Sequence, residues 1–414
     1  MIEKNKIGYG YNDLTILPAV ISMIRSRSEV NPFTKDGNLP IFTAPMSSVV
    51  NCENFELWKM NGIIPILPRN IDFEKRIEYF KNFEWIAVSL SELNEIKILF
   101  DSNILPCIKD KKYKLCVDVA NGNMIHLIKS CEQIKKAYSP FIEIMTGNIA
   151  NPSTIKYYRE AGIDYVRCSV GSGAGCTTTS NTAIHFPIAT LIEECYWNKA
   201  GDKSLNIIAD GGIRNYSDVI KALALGADYV MVGGLFASFL ESAAEMRYNG
   251  TVEYKNQKHC FPFIPYTTAK NAWQSYLNNF KEQKQINYLE EEIEDSKLIH
   301  SYFMLDLWST ETSEETKQFL IKYVKNQRKF IQKEFFGMST KTAQKLIKDS
   351  NNLKTSEGTS KQFTVQYTIK QWTENMIDYL RSAMSYCNSL SLDTFIGQQK
   401  LIVNSVNEKN SVNK

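Results

Sequence analysis

A chain of 414 residues, 43% apolar and 22% charged, can bury a full core and has room for two or three domains or one large α/β barrel with insertions. A net charge of +3 and a pI near 8.2 argue against a dedicated nucleic-acid surface. No stretch approaches the ~20 apolar residues of a membrane span, and MIEKNKIGYG has no apolar signal core, so a cytoplasmic protein with neither membrane nor nucleic acid as partner is expected. The nine cysteines are odd in number and form no CxxC pair, and the four histidines sit at no metal spacing, which points to reduced thiols and away from a zinc site.

Residues 1–39 form a preamble containing YNDLTILP, SRSEVNPF and the turn TKDGN. From Pro40 short apolar runs predict strands at 40–46, 62–67, 85–90, 114–119, 141–147, 165–170, 206–212 and 229–234. Helical spacing fills the gaps at 73–83, 124–137, 152–161, 188–197 and 216–225, with Gly162 and Gly226 just past two helix ends. Eight strand and helix repeats predict a (β/α)8 barrel. An open doubly wound sheet would want GxGxxG after the first strand, where APMSSVV stands. The barrel is expected to occupy 1–245 and 334–403. Between them, 246–333 reads as a mainly helical insertion after strand eight, able to fold as a lid over the barrel mouth. The helix TENMIDYLRSAMSYCNSL closes the barrel, and 404–414 is a polar tail.

The chemistry concentrates at 165–179, YVRCSVGSGAGCTTT. A buried strand breaks into a loop with Gly171, Gly173 and Gly175, whose backbone a ligand or ion can approach closely, and Cys176 follows as a candidate nucleophile. Other polar and glycine positions fall at C-terminal strand ends: Asp118 with Asn121-Gly122, Gly147-Asn148, Asp210-Gly211-Gly212 and Gly233-Gly234. That rim holds the active site of barrels, and the loops after strands seven and eight commonly bind phosphate through backbone N–H groups.

These motifs are collinear with a known pattern. YNDLTILP, SRSEV, DVANG at 118–122, GSGAGCTT, IADGGI with MVGG, GMS at 337–339, EG at 357–358 and SAMSY at 382–386 make the chain resemble the IMP dehydrogenase and GMP reductase family. The resemblance implies that Cys176 attacks C2 of a purine, with Thr178 and Glu357 as further catalytic groups. It implies Asp210 on the ribose hydroxyls, Gly212, Gly233, Gly234 and Ser339 on the 5′-phosphate, and Met338 along the base. Asp118, Asn121, Gly122 and Arg69 fall on the nicotinamide side, and the backbone of Gly171, Gly173 and Cys176 on a monovalent cation such as K+. NADPH or NAD is the implied cofactor and a homotetramer the implied assembly.

The dehydrogenase branch carries an Arg-Tyr pair on a flap, absent from STKTAQKLIKDSNNLKTS, so the reductive deamination of GMP to IMP with NADPH is favoured. NAD-dependent oxidation of IMP to XMP, action on a modified purine nucleotide, and an inactive relative with a protein-binding insertion stay open. Three departures from the family pattern bear on the phosphate and cofactor: Ser172 and Ala174 stand for proline and serine in the cysteine loop, Phe335 or Phe336 stands where a tyrosine is frequent, and Pro68-Arg69 replaces a His-Lys pair.

Overall fold

The computed structural model describes residues 7–173, 177–254, 257–265, 331–336, 340 and 359–404. Strand β1 (Leu14–Ile16) pairs antiparallel with β13 (Leu401–Val403) and ties the two ends of the described chain together. The central sheet contains β2 (Ile41–Thr43), β3 (Trp85–Val88), β4 (Tyr113–Asp118), β5 (Ile142–Ile149), β6 (Tyr165–Cys168), β7 (Asn206–Asp210) and β8 (Tyr229–Val232), all parallel, in the order β2-β8-β7-β6-β5-β4-β3. Between its two edges runs the segment expected as the second strand. It forms only isolated parallel bridges, Phe42 to Ile64 and Leu67 to Ile86, because Pro65 has no N–H to donate and interrupts the ladder. Those bridges still join β2 to β3 and close the ring, as expected for a (β/α)8 barrel.

Strand parity explains the core. Phe42, Ile66, Ala87, Cys116, Met145, Ile208 and Met231 point into the barrel and pack with Trp85, while Ile41, Leu115, Val117, Ile207, Ala209 and Val230 face the surrounding helices. Four aromatic rings fill the barrel floor, with Phe42 centred 5.6 Å from Trp85, 6.0 Å from Tyr165 and 5.1 Å from Tyr229. The outer layer comprises α1 (Phe55–Met60), α2 (Phe73–Lys81), α3 (Glu92–Asp101), α4 (Ile125–Tyr138), α5 (Ile155–Glu160), α6 (Thr178–Thr182), α7 (Ile188–Lys199), α8 (Tyr216–Ala224), α9 (Gly234–Ala237) and α10 (Ile369–Tyr386). Helix α10, the expected closing helix, begins under the side-chain cap of Thr368, which accepts the Gln371 N–H at 3.2 Å, and buries Trp372, Met376, Leu380 and Met384 at helical spacing.

After β8 the structure departs from the sequence reading. Residues expected as helix form the hairpin β9 (Glu245–Tyr254) and β10 (Gln257–Pro265), and the chain returns as β11 (Ile331–Phe336) and β12 (Ser360–Thr364) in an antiparallel sheet of order β10-β9-β11-β12. The described ends of the insertion are thus strand and not helix; 266–330, on which the mainly helical and lid expectations rest, lies outside the described residues. The sheet is fastened to the barrel by buried charges. Lys333 Nζ donates to the carbonyls of Ser242 (3.0 Å) and Ala244 (3.2 Å), and Glu241 Oε2 accepts the N–H of Ile369 (3.0 Å) at the start of α10. Among the described residues no helix is long and apolar enough to cross a membrane.

Candidate active site

Two residues beyond the inner layer, each strand delivers one group to the barrel mouth: Asp118 above Cys116, Arg167 above Tyr165, Asp210 above Ile208 and Gly233 above Met231. Arg167 stands at the centre, 7% exposed. Its Nη1 donates to Asp118 Oδ1 at 2.6 Å, its Nε donates to Asp210 Oδ2 at 2.9 Å, and its Nη2 lies 2.8 Å from the same oxygen. Asn148 Nδ2 adds a third contact to Asp210 Oδ2 at 2.6 Å. Burial alone would lower the Arg167 pKa; Asp210 and Asp118 overcome it and hold the pKa well above the usual guanidinium value. Gly147 makes room for this residue, since a Cβ there would lie 2.5 Å from the Arg167 carbonyl oxygen and 2.7 Å from its Cβ.

All the contacts on Asp210 fall on Oδ2, and among the described residues nothing hydrogen-bonds Oδ1. One carboxylate oxygen is therefore left with acceptor capacity. On the other flank Arg69 Nη1 donates to the Asp118 carbonyl at 2.9 Å and lies 3.9 Å from Asp118 Oδ2. The result is a chain of alternating charge, Arg69, Asp118, Arg167, Asp210, across the mouth.

The cysteine loop springs from the end of β6. Residues 174–176, including Cys176, lie outside the described residues, as do Met338, Ser339 and Glu357. The loop's two ends are tethered: the Ser169 N–H donates to the Ile149 carbonyl (2.9 Å), Thr179 Oγ1 to the Gly171 carbonyl (3.4 Å), and His185 Nδ1 lies 3.1 Å from the Val170 carbonyl. Thr178 opens α6 directly after the loop, and its carbonyl accepts Thr182 Oγ1 at 2.8 Å. The Gly212 N–H, expected to face a phosphate, donates instead to the Ser172 carbonyl at 3.0 Å and staples the loop to the end of β7. Gly233 and Gly234 lie where β8 passes into α9, and a Cβ on Gly233 would be 3.1 Å from Met46 Sδ. Two buried hydroxyls in this quarter have no partner among the described residues, Ser172 Oγ and that of Tyr11, whose ring lies 3.4 Å from where a Gly212 Cβ would be.

On the expected cofactor side, Gly122 is a structural lock. Its N–H donates to the Asn148 carbonyl and its own carbonyl accepts the Tyr158 hydroxyl, both at 2.8 Å, and a Cβ would sit 2.7 Å from that hydroxyl oxygen. Asn121 is exposed and turns its Oδ1 to the N–H of Asn123 at 3.0 Å. Among the described residues, however, Nε of Arg69, which contacts Asp118, and Oδ1 of the adjoining Asn70 are buried without partners. An unsatisfied donor and an unsatisfied acceptor on neighbouring residues match the carbonyl and amino groups of a primary carboxamide, so these residues fit a nicotinamide. Sequence reasoning placed Asn148 on the rim but did not single out Arg167 or Asn70. The available signal for Arg167 was a lone charge inside the apolar run YVRCSV.

The chain is similar in sequence to known proteins. Residues 106–297 match the family model described as the IMP dehydrogenase / GMP reductase domain. A GMP reductase of Staphylococcus epidermidis is 31% identical over 262 residues, covering 61% of this chain and 76% of that protein. Those of Clostridium acetobutylicum (32% over 250 residues, 57% and 73%) and Helicobacter pylori (28% over 254 residues, 60% and 76%) are similar to it in the same way.

Proposed function

The chain belongs to the IMP dehydrogenase and GMP reductase family of purine nucleotide oxidoreductases, and from that premise we propose that it converts GMP to IMP and ammonia with NADPH through a covalent bond to Cys176. The observation that carries the reductase direction is the likeness to bacterial GMP reductases, to which the flap without an Arg-Tyr pair adds support.

The Cys176 sulfur adds to C2 of the guanine, the C2–N bond breaks and the amino group departs as ammonia. The C–S bond then breaks as C2 accepts a hydride, and the thiolate is restored. A bound nicotinamide supplies that hydride. Thr178 and Glu357 carry the proton that the departing amino group needs. Asp210 Oδ1 accepts a ribose hydroxyl, while Asp118 and Arg69 border the nicotinamide. The buried cysteines do not compete with Cys176 as nucleophiles, because burial pushes the thiols of Cys116 and Cys131 up to about 12 and keeps them protonated.

The test follows the absorbance of the reduced nicotinamide with purified full-length protein. GMP plus NADPH is expected to consume it, and Cys176→Ala to abolish that signal while leaving GMP binding largely intact. Appearance of reduced cofactor with IMP plus NAD would instead assign the dehydrogenase direction. A flat trace in both mixtures would leave the inactive relative.

A further inference from the structure

Arg167 is used by no step above, yet it is the most heavily engaged side chain in the mouth. Its guanidinium bridges two carboxylates on different strands, Asp118 on β4 and Asp210 on β7, with a weaker approach to Cys116 Sγ at 3.8 Å. Asp210 offers its remaining oxygen to one ligand and Asp118 borders the other, so the guanidinium stands between the two halves of the site. Its five N–H groups have fixed relative geometry, so a turn of one carboxylate is passed to the other through a planar fork instead of being absorbed by a flexible stem. Low solvent access keeps that transmission from being screened.

We infer that Arg167 is a positioning residue that couples the nucleotide and dinucleotide halves of the site, so that filling one raises affinity for the other. This rests on the assignment of Asp210 to the nucleotide and Asp118 to the cofactor given above. The physical reason is ordering. A hydroxyl bound to Asp210 Oδ1 restrains that carboxylate, the carboxylate restrains the guanidinium, and Asp118 is then already fixed when the second ligand arrives. The second ligand loses less conformational freedom, and by linkage the effect is equal in both directions.

The experiment uses full-length protein and a pair of ligands that do not react, GMP and NADP+, titrated calorimetrically alone and together. In the wild type, saturating NADP+ is expected to tighten GMP binding by about fivefold or more, and saturating GMP to tighten NADP+ by the same factor. Arg167→Lys keeps a positive charge without the fork. It is expected to stay folded, with unchanged circular dichroism, and to bring the coupling factor to about one. A residue that merely supports the fold would weaken both affinities and leave their ratio alone. Wild-type protein that binds both ligands independently, or Arg167→Lys protein that retains the coupling, overturns the inference while leaving the reductase reading intact. Wild-type protein that binds neither ligand defeats the reductase reading itself, and the inference with it. Should Arg167→Lys prove unfolded, the same titration on Asp118→Asn, which weakens one end of the bridge, is expected to reduce the coupling factor, and an unchanged factor rejects the inference.

Discussion

Arg167 at the barrel mouth and Lys333 at the foot of the antiparallel sheet are both almost wholly buried cations, and their surroundings treat the charge in opposite ways. Arg167 has carboxylates on two sides at hydrogen-bond distance, and its pKa rises in spite of burial. Lys333 is met by two backbone carbonyls, and burial pushes it down to about 7 although Glu241 pulls the other way. Glu241, met by the Ile369 N–H, is pushed up by burial to about 7. Backbone dipoles satisfy hydrogen bonds, but only ionised partners in direct contact hold a buried charge in place. The mouth is therefore built to keep its charges, and the junction under the sheet to let them go near neutral pH.

The largest expected effect breaks the mouth. Arg167→Met strands two carboxylates in a buried setting and should cost about 3–5 kcal/mol of stability, read as a lowered urea midpoint at unchanged slope. A loss below about 1 kcal/mol would mean that Asp118 and Asp210 find other partners. Next comes Asp210→Ala, which should weaken GMP binding by about 1.5–3 kcal/mol, roughly ten- to a hundredfold. Unchanged affinity in a titration would remove Asp210 from the ribose.

The smallest effect sharpens the other half of the comparison, through stability as a function of pH. In Glu241→Gln the remaining Lys333 loses the carboxylate that pulls its pKa up, so burial holds the folded pKa further below 10.5, and its contribution is present above the unfolded value and is lost as pH falls below it. In Lys333→Met the remaining Glu241 loses the ammonium that pulls its pKa down, so burial holds the folded pKa further above 4.5, and its contribution is present below the unfolded value and is lost as pH rises above it. Melting temperatures should thus slope in opposite directions in the two variants. Parallel slopes would show that the two groups do not titrate as their burial requires.

Much of the fold was legible because the barrel writes itself as a period: apolar runs, helical gaps, glycines at helix ends. The exception among the strands, 62–67, carried its own warning in Pro65. The hairpin β9–β10 was also written in the sequence, since Met246, Tyr248, Val252 and Tyr254 alternate with polar residues, but the surrounding Lys, Glu and Asn bias masks a period of two. In the site, glycine and carboxylate positions could be read from strand ends. Arg167 could not, because its partners lie 49 and 43 residues away along the chain and meet it only when β4, β6 and β7 stand side by side. Gly122 adds a second demand that the sequence did not show: its close fit against Tyr158 and Asn148 requires a residue without a side chain there.

The register of the antiparallel sheet carries a consequence for how this chain tolerates its long excursion. Pro265, where β10 ends, pairs with Arg247, and Ile331, where β11 begins, pairs with Tyr248, so the chain leaves and returns on either side of β9 at one level. Two strand spacings separate those points, about 10 Å. Joining ends so close carries an entropy penalty that grows only logarithmically, about 0.6 kcal/mol for each doubling of the intervening length. For a flexible connection across that span, the register of the strands beneath would be nearly indifferent to its length.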